Sequence, residues 1–200
     1  PASATAYVAA RVVERIVESD ILPAGALQFI GGSLGDLCDH LDCQDLVAFT
    51  GSAATAQRLR AHPAIMRNAV RFIAETDSLN SSILAPDAVA GTPEFDLYVR
   101  EVAREMTVKV GQKCTAIRRA LVPRRAVGEV VSALQRALGK IVVGDPRLAD
   151  VRMGPLASID QQAEVRQRVA ELRGEAELVY GNPDDFTVTG AERTRGAFMP

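Results

Sequence analysis

Tryptophan is absent and aromatic residues make up only 4% of the 200-residue chain, so any core must be built from Ala, Val, Leu and Gly. That composition suits alternating strands and helices better than a β-sandwich. No run approaches the apolar length of a membrane span, and the first residues have neither the charged start nor the apolar core of a signal peptide. Basic residues are not in excess. The 23 Lys and Arg against 25 Asp and Glu give a net charge of −2, and they are spread through helical patterns, so the electrostatic footprint of a nucleic-acid binder is missing. Three cysteines at no framework spacing exclude a disulfide scaffold and fit a reducing compartment, which gives cytoplasm as the expected location. Neither an internal repeat nor a low-complexity segment is present. What the chain does have is 48% hydrophobic residues, enough to bury the core of one or two domains.

Along the chain, Ala6, Ala9, Ala10, Val13, Ile16 and Val17 share one helical face, with Arg11, Glu14, Arg15 and Glu18 opposite, as in a surface helix packed on a sheet. Leu27–Ile30 reads as a buried strand before Gly31-Gly32, and residues 33–41 as a short helix with Leu34, Leu37, Cys38 and Leu41 inward. Residues 45–49 and 69–73 read as further strands, with a helix opened by Gly51-Ser52 between them and a loop containing Pro63. This is the rhythm of a parallel sheet, in which ligands sit beyond the carboxyl ends of the strands. A Gly-x-Gly-x-x-Gly fingerprint is lacking, so a standard diphosphate loop is not expected. After a strand at residues 81–84, Thr92-Pro93-Glu94 is a strong helix start, and Phe95, Tyr98, Val99, Val102, Ala103 and Met106 form one face. A strand at residues 117–122 and a helix over 126–138 follow. Ser158 with Gln161 predicts a capping box, and residues 176–180 read as a strand. The last twenty residues are too weakly patterned to assign.

The chemistry centres on Val110-Gly111-Gln112-Lys113-Cys114-Thr115-Ala116. A thiol beside a cation at the start of a new backbone segment is placed to lose its proton, and the thiolate is the nucleophile. The local sequence leaves open the commoner case of a free cysteine acting as a small buried hydrophobe. Glu75 follows a strand at the edge of the expected crevice, where it is either a base or a solvated carboxylate. Cys38-x-His40-x-x-Cys43 offers three potential ligands without a clear fourth, so no metal is expected. Gly51-Ser52 at a helix start has the N–H groups and dipole of an anion site, but Ser is also simply a good cap.

Together, Phe49-Thr50-Gly51-Ser52, Glu75 and Gly111-Gln112-Lys113-Cys114 resemble the aldehyde dehydrogenase superfamily, with Val143-Gly144-Asp145-Pro146 and Met153-Gly154-Pro155-Leu156 as supporting turns. The resemblance covers essentially the whole chain. Where most members read Glu-Leu-Gly-Gly-Lys, this chain reads Glu75-Thr76-Asp77-Ser78-Leu79. With Gln57-Arg58-Leu59-Arg60 and Arg104-Glu105-Met106-Thr107, that resembles the dehydrogenase half of the bifunctional ring-opening enzyme of phenylacetate degradation, in which it is fused to a hydratase-like domain.

The resemblance implies an α/β, aldehyde-dehydrogenase-like fold. Residues 1–77 would be the C-terminal part of a Rossmann-like NAD(P)-binding domain, and residues 78–200 part of an α/β catalytic domain. It implies Cys114 as nucleophile and Glu75 as general base, acting on an aldehyde joined to coenzyme A to give a free carboxylate. Gly51 and Ser52 would lie near the cofactor diphosphate and Gly32 near the adenosine, with Asp77 also among the cofactor-binding residues. Ser3 stands where NAD-preferring members often carry Glu, so NADP is expected to be accepted and preferred over NAD. A homo-oligomer is expected for the longer parent. The segment lacks the upstream Lys and Asn and the downstream Glu-x-Phe-Gly-Pro of the family, so little activity is expected of these 200 residues alone. Two other classes remain: an aldehyde-dehydrogenase-like scaffold kept for interactions, and a nucleotide-binding module with an inert cysteine.

Overall fold

The computed structural model describes the backbone from Ser3 to Pro200 and side chains from Thr5 onward. The chain divides into two compact units, Pro1–Asp77 and Ser78–Pro200. In the first, helix α1 (Ser3–Glu18) precedes an irregular stretch containing a 3-10 turn at Leu37–His40. Strand β1 (Leu46–Gly51), helices α2 (Ala53–Arg60) and α3 (Pro63–Arg67), and strand β2 (Arg71–Thr76) follow. The two strands pair in parallel, Leu46 opposite Arg71 through Gly51 opposite Thr76. Helix α3 replaces the expected loop, because Pro63 sits at its first turn and the His62 ring accepts from the Ala64 N–H at 3.4 Å. Ala56, Ala64, Ile65 and Val70 are the buried residues of this unit.

Other expectations fail in this unit. Leu27–Ile30 forms no strand, and Phe29 and Ile30 are 41% and 57% exposed. The expected helix over 33–41 shrinks to its 3-10 turn, with Leu34 and Leu37 exposed. Helix α1 does form, yet Val17, expected inward, is 57% exposed, and Tyr7, Val8 and Val12 are exposed as well. Apolar periodicity specifies a face that wants burial without supplying what buries it. Here the sheet holds one strand pair, and its own Leu46 and Ile73 are exposed.

In the second unit, β3 (Ser81–Ile83) pairs in parallel with β4 (Arg119–Leu121). Helix α4 (Pro93–Thr107) is started by Thr92, whose Oγ1 accepts from the Phe95 N–H at 3.3 Å. It packs on α5 (Val127–Leu138) around Leu84, Phe95, Tyr98, Val99, Val102, Ala126 and Val130, all buried. The α4 face is as expected except at its end, where Met106 is 47% exposed. Helix α6 (Ile159–Leu172) is capped by Ser158, whose Oγ accepts from the Gln161 N–H at 3.1 Å. The reciprocal half of the capping box is not made, since Gln161 Nε2 turns to Glu164 at 3.5 Å. Residues 176–180 are not a strand either. Val179 gives its carbonyl to Gln135 Nε2 at 2.8 Å instead of to a neighbouring strand.

The weakly patterned tail is core. Ala197 and Met199 pack with Leu156, and Phe198 is 4% exposed. The turn at Val143–Pro146 is stitched to the tail by Thr189, which donates to Val143 O and accepts from the Asp145 N–H, each at 2.9 Å. Gly144 permits that approach, because a Cβ there would collide with the Thr189 carbonyl. Side-chain hydrogen bonding from Arg147 holds the Asp145 carboxyl down at about 2.

Phe95→Ala is expected to cost the second unit about 3–5 kcal/mol, read as a lowered urea midpoint; a cost below about 1 kcal/mol contradicts this core assignment. Since the Asp145 carboxyl titrates lower in the folded state than the ordinary 3.8, its contribution is present above that value and lost as pH falls toward 2. The difference in melting temperature between the native protein and Asp145→Asn should therefore be constant near neutrality and vanish at the acid end.

Candidate active site

Helix α4 ends against a loop of unusual backbone. Lys109 (φ 54°, ψ 29°), Val110 (φ 58°, ψ 37°) and Gly111 (φ 68°) are all left-handed. For a β-branched residue such as Val110 that conformation costs roughly 1–2 kcal/mol. Packing opposes the cost, because Val110 sits against the cluster of Leu156, Ala197 and Met199. Gln112 ties down the next step. Its Oε1 accepts from the Ala157 N–H and its Nε2 donates to Lys109 O, each at 3.1 Å.

Beyond this kink two side chains hold the carbonyls around Cys114. Arg118 donates to Gly111 O at 3.1 Å and Lys113 O at 2.9 Å. Asn80 Nδ2 donates to Cys114 O at 2.7 Å and Ala116 O at 3.1 Å. Asn80 immediately precedes β3 and Arg118 immediately precedes β4, so the β3–β4 pairing brings both to the loop. Ala116 is buried, whereas Cys114 is exposed. In this segment, then, Cys114 is not packed as a small buried hydrophobe.

Lys113 does not act as the free cation expected beside the thiol. Its Nζ lies 2.7 and 2.8 Å from the two oxygens of Glu105, on α4, in a largely shielded pair. Its charge is already balanced by a carboxylate. Sequence reasoning missed Asn80, Arg118 and Glu105 in these roles. Glu105 lies eight positions before Lys113 and Asn80 34 before Cys114, distances at which no local periodicity reports a contact.

In the first unit, Gly51, Ser52 and Asp77 come together at the start of α2. Ser52 Oγ accepts from the Thr55 N–H at 3.2 Å, and Asp77 Oδ1 accepts from the Ala53 N–H at 3.3 Å. Asp77 is left-handed (φ 52°), and its own N–H donates to Gly51 O at 3.2 Å. A Cβ at Gly51 would lie 2.5 Å from the Phe49 ring, so a side chain there requires Phe49 to move. Glu75, opposite Thr50 on the parallel pair, is exposed, and its carboxylate has no hydrogen-bond or ion-pair partner among the described residues. Gly32 (φ 109°) lies in open space, and the structure does not join it to the α2 start. The side chain of Ser3 lies outside the described residues. His40 faces Asp36 at 3.4 Å and His62 faces Asp39 at 3.7 Å. Among the described residues, no three His, Cys, Asp or Glu side chains converge on a metal-sized site.

Arg118→Met should release two loop carbonyls. Hydrogen exchange in residues 111–116 is expected to speed up by about tenfold, the value of one charge-assisted hydrogen bond discounted for exposure. Unchanged exchange would mean that the clamp does not hold the loop.

The model of the aldehyde dehydrogenase family matches residues 1–200. Among curated proteins, 3,4-dehydroadipyl-CoA semialdehyde dehydrogenase of Aromatoleum evansii is 49% identical over 199 residues, which is 100% of this chain and 39% of that protein. Among solved structures, an aldehyde dehydrogenase C variant of Pseudomonas syringae, in complex with NAD+ and octanal, superposes with a TM-score of 0.79 at 28% identity. It covers 95% of this chain and 38% of that one. The gamma-glutamyl-gamma-aminobutyraldehyde dehydrogenase of Burkholderia cenocepacia gives 0.73 at 28% identity, covering 86% and 34%. The chain therefore spans well under half the length of these relatives. A match along all 200 residues and the agreement in fold establish that the chain belongs to the aldehyde dehydrogenase family.

Proposed function

We propose that the whole protein is an NAD(P)-dependent aldehyde dehydrogenase that oxidises a coenzyme A-linked semialdehyde to the carboxylate, with Cys114 as nucleophile. The observation that supports it most directly is the exposed Cys114 thiol on a loop whose Gly111, Lys113, Cys114 and Ala116 carbonyls are held by Arg118 and Asn80. Residues 1–77 then belong to the cofactor domain and residues 78–200 to the catalytic domain.

The start of α2 suits the cofactor diphosphate. Its Ala53 N–H already meets an anion, the Asp77 carboxylate, at 3.3 Å, and a diphosphate would take that donor in its place. Gly51 and Ser52 would flank it, Gly32 would serve the adenosine side, and Ser3, lacking a carboxylate, would tolerate the 2′-phosphate of NADP. When bound, the nicotinamide supplies the two-electron acceptor that the oxidation requires.

The rest falls to the chain's own side chains. The Cys114 sulfur forms a bond to the aldehyde carbon while the carbonyl electron pair moves to oxygen. Backbone N–H groups of the loop stabilise that oxygen. Asn80 does not, because both of its amide hydrogens are committed to Cys114 O and Ala116 O. After oxidation the acyl group rests on sulfur as a thioester. Glu75, exposed and with no hydrogen-bond partner for its carboxylate among the described residues, takes a proton from the water that attacks it, releasing carboxylate and thiol.

The relative from Aromatoleum evansii is named for a dehydroadipyl-CoA semialdehyde, and the ring-opening resemblance points to the longer semialdehyde of phenylacetate degradation. Both are semialdehydes on a coenzyme A thioester, and that shared chemistry is the substrate class assigned. Homo-oligomerisation and fusion to a hydratase-like domain rest on the same resemblance.

In the whole protein, Glu75→Gln should lower steady-state turnover by about 100- to 10,000-fold. It should leave a stoichiometric burst of reduced cofactor, with an acyl adduct on Cys114 visible by mass spectrometry. Undiminished turnover, or an adduct on Cys38 or Cys43, would refute the assigned roles.

A further inference from the structure

Helices α4 and α5 leave between them a groove of about 670 Å³ that the dehydrogenase chemistry above does not use. Its floor is apolar, formed by Phe95, Val99 and Ala103 of α4 with Ala133 and Ala137 of α5. Its charged rim is lopsided: Arg100, Arg104, Arg136, Lys140 and Arg152 stand against the single carboxylate of Asp96. The chain as a whole has slightly more acids than bases, 25 against 23, so five cations to one acid is not the background composition. Arg100 and Arg104 lean on Glu101 at 3.6 and 3.4 Å. Arg136, Lys140 and Arg152 have no carboxylate at ion-pair distance among the described residues.

An apolar floor under uncompensated cations calls for a ligand with a flat apolar body and several negative charges. We infer that this groove holds the phosphoadenosine diphosphate head of the coenzyme A thioester, an assignment that rests on the substrate class proposed above. Arg136, Lys140 and Arg152 pair with its phosphates and the floor receives the adenine. Thr107 and Val108 line the groove and begin the turn that leads to Cys114. Cys114 is six residues beyond Val108, so the two are no farther apart than about 21 Å, a span suited to the pantetheine arm.

The same phosphoadenosine chemistry occurs in NADP, and the two sources separate by competition. Calorimetric titration of the intact protein with coenzyme A should show saturable binding. The triple variant Arg136→Gln, Lys140→Gln, Arg152→Gln should weaken it by about tenfold or more. Ala133→Phe, which fills the floor without changing charge, should weaken it too, and saturating NADP+ should leave it unchanged. Coenzyme A binding that is absent, equal in a folded triple variant, or displaced by NADP+ overturns the assignment. The titration requires neither Cys114 nor turnover. A failed groove thus leaves the Glu75→Gln burst intact, and a failed burst leaves coenzyme A binding intact.

Discussion

At Lys109 and Val110 the backbone runs against its own preferences, and side chains from other elements hold the loop that follows. Three successive left-handed residues, one of them valine, turn the chain sharply at the end of α4. Arg118 and Asn80 then take the carbonyls of Gly111, Lys113, Cys114 and Ala116. With those carbonyls occupied, the thiol side of the loop faces outward. The parallel β3–β4 pairing is what delivers Asn80 and Arg118, and the α4–α5 core supports that pairing from below. The tail contributes through Ala197 and Met199, which with Leu156 give Val110 something to pack on.

Charge in this protein is placed to settle backbone as much as to drive chemistry. Glu105 takes up Lys113, so the residue next to Cys114 acts as a strut between loop and helix. Asp77 lends its carboxylate to the first turn of α2 and keeps that helix end satisfied. Arg147 does the same for Asp145 in the turn that meets Thr189. Glu75 stands apart from these pairs and keeps its carboxylate for solvent. The α4–α5 groove is the converse, with its Arg136, Lys140 and Arg152 uncompensated among the described residues.

Local signals were legible in proportion to how local their causes are. Thr92-Pro93 marked the start of α4 because a cap and a first-turn proline act within one turn, and its apolar face followed from 3.6-residue spacing. Ser52 was legible as the cap of α2 for the same reason. Leu27–Ile30 and residues 176–180 have strand-like composition, but a strand exists only where a neighbour accepts its hydrogen bonds, and none does here. Cys114 could be singled out by its motif. Its environment could not, because Lys113 looked free until Glu105 was seen to meet it, and valine gives no hint of a left-handed turn. The tail was opaque because three residues closing a small cluster produce no period to read.

The nucleophile role proposed for Cys114 requires a thiol more reactive than an ordinary exposed one, and the chain carries its own control. Cys43 is also exposed, so access alone does not distinguish it from Cys114. Alkylation read residue by residue by mass spectrometry should modify Cys114 well before Cys43 at neutral pH, and bound NAD(P) should slow Cys114 alone. Equal rates at the two cysteines, with no effect of cofactor on either, would contradict the account.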